Sequence, residues 1–349
     1  MVIPINKKYL KCVQQIPGGI DILGNLNLVK LHGNHKIKWN RENTLYYTKS
    51  PNFLVPQSYL AIFDVDWTIT FSQKKLFPPW ASDDIELLPG RQKILEQIIK
   101  MGYTLIFVTN QLVKGTTSKS EVSRIERVER ITNFMNKLSL PCMVFIATGD
   151  DNYRKPNTGI WEKIKQMVPK IDYSFFVGDA LGRPQDFADT DKKFAENIGI
   201  PWYSPDEIFP SPRIVLPTGK NLIITVGAPG TGKSSYSSKY LSNYSIISSD
   251  NYKSNKKKIL VVFEGELKKG INGVVIEATN PRQEDRETYY ELGQKYGYNI
   301  VVLYFVRDGA GWNKLRGDDR VPTVTYHKFY SSLVPPTSEN TPGQVFLIP

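Results

Sequence analysis

"YLAIFDVDWTIT", residues 59–70, runs from an apolar segment straight into two aspartates, Asp64 and Asp66, and then a tryptophan, Trp67. A short run of this kind reads as a strand buried on both faces. The pattern recurs downstream. "YTLIFVTN" (103–110), "MVFIAT" (143–148) and "SFFVGD" (174–179) are further strand candidates. Between and beyond them lie the helical candidates "GRQKILEQIIKMG" (90–102), "SRIERVERITNFMNKL" (123–138) and "GIWEKIKQMV" (159–168). Strands alternating with helices predict a doubly wound, mostly parallel α/β sheet.

In open parallel sheets, reactive groups gather at the carboxyl ends of the strands. Here those ends carry Asp64 and Asp66, then Thr109 and Asn110, then Gly178 and Asp179, with Lys155 in the loop "NYRKPNTGIW" (152–161). A lone Asp-x-Asp is ordinarily a turn or a solvated strand end. The ordered set suits phosphate-ester cleavage through a covalent intermediate. One carboxylate can attack phosphorus, and a neighbouring acid can protonate the leaving oxygen. Mg²⁺, held by hard oxygen ligands, offsets the repulsion between carboxylate and phosphate.

On these residues the segment resembles the haloacid dehalogenase-like phosphatases, whose pattern Asp-x-Asp-x-Thr, Thr/Ser, Lys, acid is met by Asp64, Asp66, Thr68, Thr109, Lys155 and Asp179. The resemblance implies Asp64 as nucleophile, Asp66 as acid/base, and a metal site of Asp64, Asp179 and the backbone carbonyl of Asp66. Asp186, Asp189 and Asp191 are all candidates for a second late acid. Members of that family often carry an inserted cap domain. The gaps here, about 40 residues from Asp66 to Thr109 and about two dozen from Lys155 to Asp179, leave no room for a domain of about 50 residues or more. An uncapped site is expected to accept a phosphate on a large substrate.

The stretch "SPDEIFPSPRIVLPTG" (204–219) contains Pro205, Pro210, Pro212 and Pro217 and reads as a linker. A second alternating unit follows, with strand candidates "NLIITVG" (221–227), "YSIISSD" (244–250), "NGVVIEATN" (272–280) and "NIVVLYFV" (299–306). "GAPGTGKS", residues 227–234, matches the phosphate-loop pattern in its strand–loop–helix setting. The expected ATP-binding residues are Gly227, Gly230, Thr231, Gly232, Lys233, Ser234 and Ser235. Backbone N–H groups would wrap the phosphates, Lys233 would reach the β/γ-phosphates, and Ser234 would hold Mg²⁺. Asp250, ending the next strand, is the candidate base for an attacking hydroxyl, and its alternative is a helix N-cap. Arg316 and Arg320, four apart on a candidate lid helix, would neutralise charge on the transferred phosphoryl group. Glu277 ends another strand and has a Walker-B-like position.

Two units that treat phosphate in opposite ways, in this order, resemble the bifunctional polynucleotide kinase/3′-phosphatases. The residues that carry the resemblance are "FDVDWTIT", "VTNQ", "RKPNTGIW" and the run Gly178–Phe209, then "VGAPGTGKSS", "SSDNY", "IEATNP" and "YHKFYSSLVPPT". The resemblance implies two doubly wound α/β domains, an uncapped Mg²⁺-dependent 3′-phosphatase followed by an ATP-dependent 5′-hydroxyl kinase. Its substrates would be nucleic-acid ends, DNA favoured over RNA, in strand-break repair. The alternatives are the same two activities on RNA, or an end-binding phosphatase with a degenerate kinase. The latter is motivated by Ser249 before Asp250, where the family usually has arginine, and by "EATN" (277–280) in place of Asp-Asn-Thr-Asn. The expected division is a small β-rich extension at 1–57, phosphatase at 58–207, linker at 208–219 and kinase at 220–349. Residues 1–57 are too few for the phosphopeptide-binding forkhead-associated domain of the animal enzymes.

The totals agree with that picture. The chain has 349 residues, 40% hydrophobic and 23% charged, an ordinary globular composition. A net charge of +11 suits a polyanionic partner. Lys253, Lys256, Lys257 and Lys258 are candidates to follow a strand toward the kinase, and Arg183 and Lys155 toward the phosphatase; their alternative is a solvated basic face. Two cysteines, Cys12 and Cys142, and three histidines, His32, His35 and His327, form neither a disulfide framework nor a zinc pattern. With no signal-peptide h-region and no long apolar run, a monomer inside the cell is expected, in nucleus or cytoplasm or virus-encoded in a host, with no membrane partner. Trp67 stands where the family usually has glycine. It either packs beneath the loop or faces the site.

Overall fold

A computed structural model describes residues 37–75, 78, 80–209 and 214–349. The expectations for residues 1–36, namely short strands and turns, no forkhead-associated domain, Cys12, His32 and His35, lie outside the described residues, as do Pro210 and Pro212 of the linker. Two compact units emerge, one built from residues 37–72 and 80–209, the other from 73–75, 78 and 214–349.

The first unit contains, in chain order, β1 (Asn40–Glu42), β2 (Leu45–Lys49), β3 (Tyr59–Phe63), β4 (Thr70–Phe71), β5 (Glu86–Leu87), β6 (Tyr103–Asn110), β7 (Cys142–Ala147), β8 (Tyr173–Val177) and β9 (Trp202–Tyr203). Seven of them form one sheet in the order β1-β2-β7-β6-β3-β8-β9. The strands from β7 to β9 are parallel, while β1 and β2 add on antiparallel. Residues 40–49, which the sequence reading assigned to a separate extension, thus lengthen this sheet. β2 pairs Leu45–Lys49 against Met143–Ala147.

Period-two alternation puts each strand into two cores at once. Ala61, Phe63, Leu105, Phe107, Val144 and Ile146 face one cluster, which helices Arg91–Lys100 and Ser118–Leu138 complete with Leu95, Ile98, Ile131, Phe134 and Leu138. Leu60, Ile62, Ile106, Val108, Met143 and Phe145 face the other, which Gly159–Met167 and Thr190–Asn197 complete with Ile160, Ile164 and Phe194. The chain leaves this unit later than the proline pattern suggests. Pro205 starts the one-turn helix Pro205–Ile208, where a first-position proline loses no hydrogen bond, and Glu207 reaches back to Ser204 in a capping box. Ile208 and Phe209 are buried in the first core.

The second unit contains β10 (Asn221–Val226), β11 (Ser245–Ser248), β12 (Gly273–Glu277), β13 (Asn299–Phe305) and β14 (Gln344–Ile348). They form an all-parallel sheet in the order β11-β12-β10-β13-β14. β14 was not anticipated, because "QVFLI" follows a segment with no helical period. No helix among the described residues is long and apolar enough to cross a membrane.

Candidate active sites

β3 sits between β6 and β8, with Phe63 in register with Phe107 and with Val177. Its carboxyl end is therefore the middle of the sheet edge, where a doubly wound sheet opens a crevice. Asp64 is the next residue, 8% exposed, its backbone N–H on the Val177 carbonyl at 2.8 Å. The Lys155 ammonium, 2% exposed, donates to Asp64 Oδ1 at 2.6 Å and to the Val108 carbonyl at 2.9 Å, and pairs with Asp191 Oδ1 at 2.7 Å. Its backbone is pinned reciprocally. Asn110 Nδ2 donates to the Lys155 carbonyl and Asn110 Oδ1 accepts from the Lys155 N–H, each at 3.0 Å. Lys155 is thus an inner strut, and the reading of it as an outer contact for a nucleic-acid strand is corrected by its burial.

Of the candidate late acids, the structure singles out Asp191. It is 2% exposed and its Oδ2 accepts from the Ala180 N–H at 3.1 Å. Asp186 instead ties its own loop, and Asp189 pairs with Lys193 at 2.7 Å on the surface. One carboxylate oxygen each from Asp64, Asp179 and Asp191 lie within 4.8 Å of one another. The Thr68 hydroxyl faces Asp179 Oδ1 at 3.5 Å. Three carboxylates and one lysine leave a negative excess in a dry site, and all-oxygen donors suit a hard divalent cation. Burial pushes the Asp64 carboxyl up to about 7, against the pull of Lys155, with Asp191 and Asp66 adding to the rise. Burial, then Asp64 and Asp191, push Asp179 well above the carboxylate range. Lys155 is opposed by burial, but Asp191 and Asp64 hold its proton and raise it.

Asp191 can approach because residue 178 has no side chain. A Cβ there would sit 2.3 Å from Asp191 Oδ2 and 2.5 Å from its Cγ. Gly178→Ala is expected to displace Asp191 and unseat Lys155, lowering phosphate-ester turnover by roughly 10²-fold. Kinetics on the purified variant, with the second unit's activity as the internal control, check this.

The Asp66 carboxylate is engaged elsewhere than the acidic trio. Arg130 Nη1 donates to its Oδ1 at 2.8 Å and Gln111 Nε2 to its Oδ2 at 2.6 Å. Gln111 also donates to the Thr109 hydroxyl at 2.9 Å, and Arg130 lies over the Trp80 ring at 4.4 Å. Sequence reading misses Arg130. It is 1% exposed on the helix that also buries Val128, Ile131 and Phe134, and a buried arginine needs an acid beside it. Trp67 has φ 60°, the left-handed region, and belongs to neither core cluster of its unit. The turn therefore keeps the geometry that favours glycine while holding a half-buried indole beside Asp66.

In the second unit β10 feeds the loop Gly227–Gly232, and the helix Lys233–Tyr240 follows. Gly230 (φ 76°) has no room for a Cβ, which would lie 2.3 Å from the Gly309 carbonyl oxygen. The Lys233 ammonium folds back onto the loop, donating to the carbonyls of Gly227 at 2.9 Å and Ala228 at 2.7 Å. Burial lowers it to about 8; Glu277 and Asp250 oppose that shift, and Arg316 reinforces it. The Thr231 hydroxyl donates to the Ala228 carbonyl at 2.8 Å, and the Ser234 hydroxyl to Glu277 Oε1 at 2.9 Å. Glu277 reaches that point because β12 lies beside β10. Ser235 is exposed at the third helical position. Asp250 opens a 3₁₀ turn, Asp250–Tyr252, with its side chain exposed; the N-cap position of that turn belongs to Ser249. Arg316 and Arg320 do not share one helix. Gly317 (φ 59°, ψ −126°) kinks the 3₁₀ segment Lys314–Asp319 between them, and Arg320 is extended.

Residues 59–209 match the family described as Polynucleotide kinase 3 phosphatase. The chain is 28% identical over 342 residues to a bifunctional polynucleotide phosphatase/kinase of Schizosaccharomyces pombe, spanning 87% of this chain and 82% of that protein. It is 29% identical over 332 residues to a putative bifunctional polynucleotide phosphatase/kinase of Acanthamoeba polyphaga mimivirus, spanning 73% and 77%. A polynucleotide 3′-phosphatase of Arabidopsis thaliana is 29% identical over 189 residues, spanning 49% of this chain and 27% of that protein.

Proposed function

We propose that this protein, whose residues 59–209 match the polynucleotide kinase 3 phosphatase family, heals nucleic-acid ends, removing a 3′-phosphate in the first unit and phosphorylating a 5′-hydroxyl in the second. The observation that carries the first activity is the buried contact of Lys155 with both Asp64 and Asp191 beside Asp179. Asp64 is the nucleophile. Lys155 holds its Oδ1, which leaves Oδ2 to attack phosphorus and form an aspartyl-phosphate. Asp66, two residues on, protonates the departing 3′-oxygen and then activates water; to do so it exchanges its bond to Gln111 or Arg130 for one to substrate. Asp64, Asp179 and Asp191, with the backbone carbonyl of Asp66, would hold Mg²⁺, whose charge offsets the repulsion between carboxylate and phosphate.

In the second unit the loop Gly227–Gly232 binds the phosphates of ATP, with Lys233 turning from its own loop carbonyls to the β/γ-phosphates. Ser234 and Glu277 would hold the nucleotide's Mg²⁺. Asp250 takes the proton of the 5′-hydroxyl, and Arg316 and Arg320 neutralise the transferred phosphoryl group. DNA is the preferred substrate. The test is a nicked duplex labelled at both ends, carrying 3′-phosphate and 5′-hydroxyl, beside the matched RNA. Conversion of both DNA ends with Mg²⁺ and ATP is expected. Faster conversion of the RNA moves the activities to RNA ends, and no conversion of either removes the proposal.

Metal linkage follows from the raised carboxyls. Asp64 titrates near 7 in the metal-free fold and far lower when unfolded. Its proton-linked stability is therefore complete below the unfolded pKa and is lost as pH rises through about 7. Cation binding needs the ionised forms. The rise in Tm produced by Mg²⁺ without nucleotide is therefore expected to grow between pH 5 and pH 8 and to vanish in Asp179→Asn, as read by thermal unfolding.

A further inference from the structure

The helix Ser118–Leu138 holds the connection between β4 and β5 along one of its faces. Arg127 Nη1 donates to the Trp80 carbonyl at 3.5 Å, Asn133 Nδ2 to the Ser82 carbonyl at 2.9 Å and Lys137 Nζ to the Ile85 carbonyl at 2.7 Å. Residues three or four apart share a helical face, and Arg130 stands in the same row between Arg127 and Asn133. It is the member of the row that points to Asp66. Its side chain is 1% exposed, against 16% for Asp66. The Trp80 ring covers the guanidinium, and Nε and Nη2 are buried with no hydrogen-bond acceptor among the described residues. The contact of Nη1 with Asp66 Oδ1 is therefore what compensates this buried charge.

Gln111, on the other oxygen of Asp66, is bound differently. Its amide is neutral, and the same Nε2 also donates to the Thr109 hydroxyl. Freeing one amide N–H costs less than leaving a buried guanidinium without its counter-charge. Gln111 is thus the partner that lets go when Asp66 gives up a bond to substrate.

We infer that Arg130 is the positioning residue for Asp66: it clamps Oδ1 throughout the reaction, and Oδ2 alone exchanges protons with substrate and water. This rests on the 3′-phosphatase reading of the first site. Asp64 attacks phosphorus, the P–O3′ bond breaks, and the proton on Asp66 Oδ2 passes to the 3′-oxygen. Water then attacks the aspartyl-phosphate, its proton returns to Oδ2, and the bond from phosphorus to Asp64 breaks. Arg130 touches neither phosphate nor strand in these steps. A carboxyl group fixed at one oxygen presents the other in one place, so both proton transfers run through the same geometry.

The experiment measures single-turnover cleavage by the full chain with Mg²⁺. One substrate is an oligodeoxynucleotide with a 3′-phosphate; the other has sulfur in place of its bridging 3′-oxygen. The thiolate leaves without needing a proton, while the strand is the same. Arg130→Met is expected to slow cleavage of the oxygen ester about 10²-fold and to keep the sulfur ester within about five-fold of wild type. Arg130→Lys, which keeps the charge, should recover part of the loss on the oxygen ester. Gln111→Leu should slow the oxygen ester less than about ten-fold. Equal losses on both esters in Arg130→Met, or no loss on either, overturn the inference alone. Should Arg130→Met fail to fold by thermal unfolding, Gln111→Leu decides: a loss of about 10²-fold confined to the oxygen ester assigns the clamp to Gln111 and overturns the inference, and the smaller loss upholds it. A wild-type chain that does not release the 3′-phosphate overturns the phosphatase reading and this inference with it.

Discussion

Asp64→Ala is expected to lower 3′-phosphate release by at least about 10⁴-fold while leaving ATP-dependent phosphorylation of a 5′-hydroxyl unchanged. The size follows from the role. In the proposed reaction the carboxylate is the attacking group, and no other acid in the site has its place at the end of the central strand. Asp179 and Asp191 enter from the loop after β8, and Asp66 is held by Arg130 and Gln111. Water attacking directly would keep only the positioning and electrostatic parts of the catalysis. Asp64→Asn separates chemistry from folding. The carboxyl is pushed up to about 7 by burial, so at pH 8 without metal its ionised form costs stability that a neutral amide does not. Asp64→Asn is therefore expected to be as inactive as the alanine variant, with a Tm at pH 8 equal to or above wild type. A folded, stable Asp64→Asn that retains turnover removes Asp64 as the nucleophile.

Much of this site is readable from the chain because each functional residue sits next to a strong structural signal. Asp64, Thr109 and Asp179 all follow apolar runs of strand length, and the phosphate loop is a local motif set by glycines. What escaped the sequence is non-local. Arg130 meets Asp66 across 64 residues, through a helix whose apolar stripe gives no pointer to its polar partner. Asp191 could be separated from Asp186 and Asp189 only by the turn that Gly178 permits, which needs the positions of both loop ends. The β1–β2 pair joins the first sheet by a long-range antiparallel contact with β7, and a short mixed-polarity segment carries no sign of it. Trp67 is the converse case. The sequence marked the residue as odd, and the backbone shows why: its φ of 60° is a glycine conformation occupied by an indole.

Lys233→Ala is expected to lower 5′-phosphorylation by about 10³-fold, with 3′-phosphate release unaffected, since one preorganised charge on a transferring phosphoryl group is worth on the order of 10²–10³ and in the proposed site this residue also anchors the ground-state phosphates. The wild-type lysine makes a second, graded prediction. Before nucleotide binds, its ammonium lies on the carbonyls of Gly227 and Ala228, and burial has lowered it to about 8 despite the help of Glu277 and Asp250. Bound polyphosphate favours the charged form and raises it again. Affinity linked to that proton is complete below about 8 and is lost as pH rises past it, so ATP should bind more weakly at pH 9 than at pH 7 and take up protons near pH 8. Calorimetry in buffers of different ionisation enthalpy reads the proton directly. Lys233→Arg keeps a charge that does not titrate in this range. It should bind ATP with a flat pH profile, whatever its turnover, and a profile as steep as wild type assigns the proton to another group.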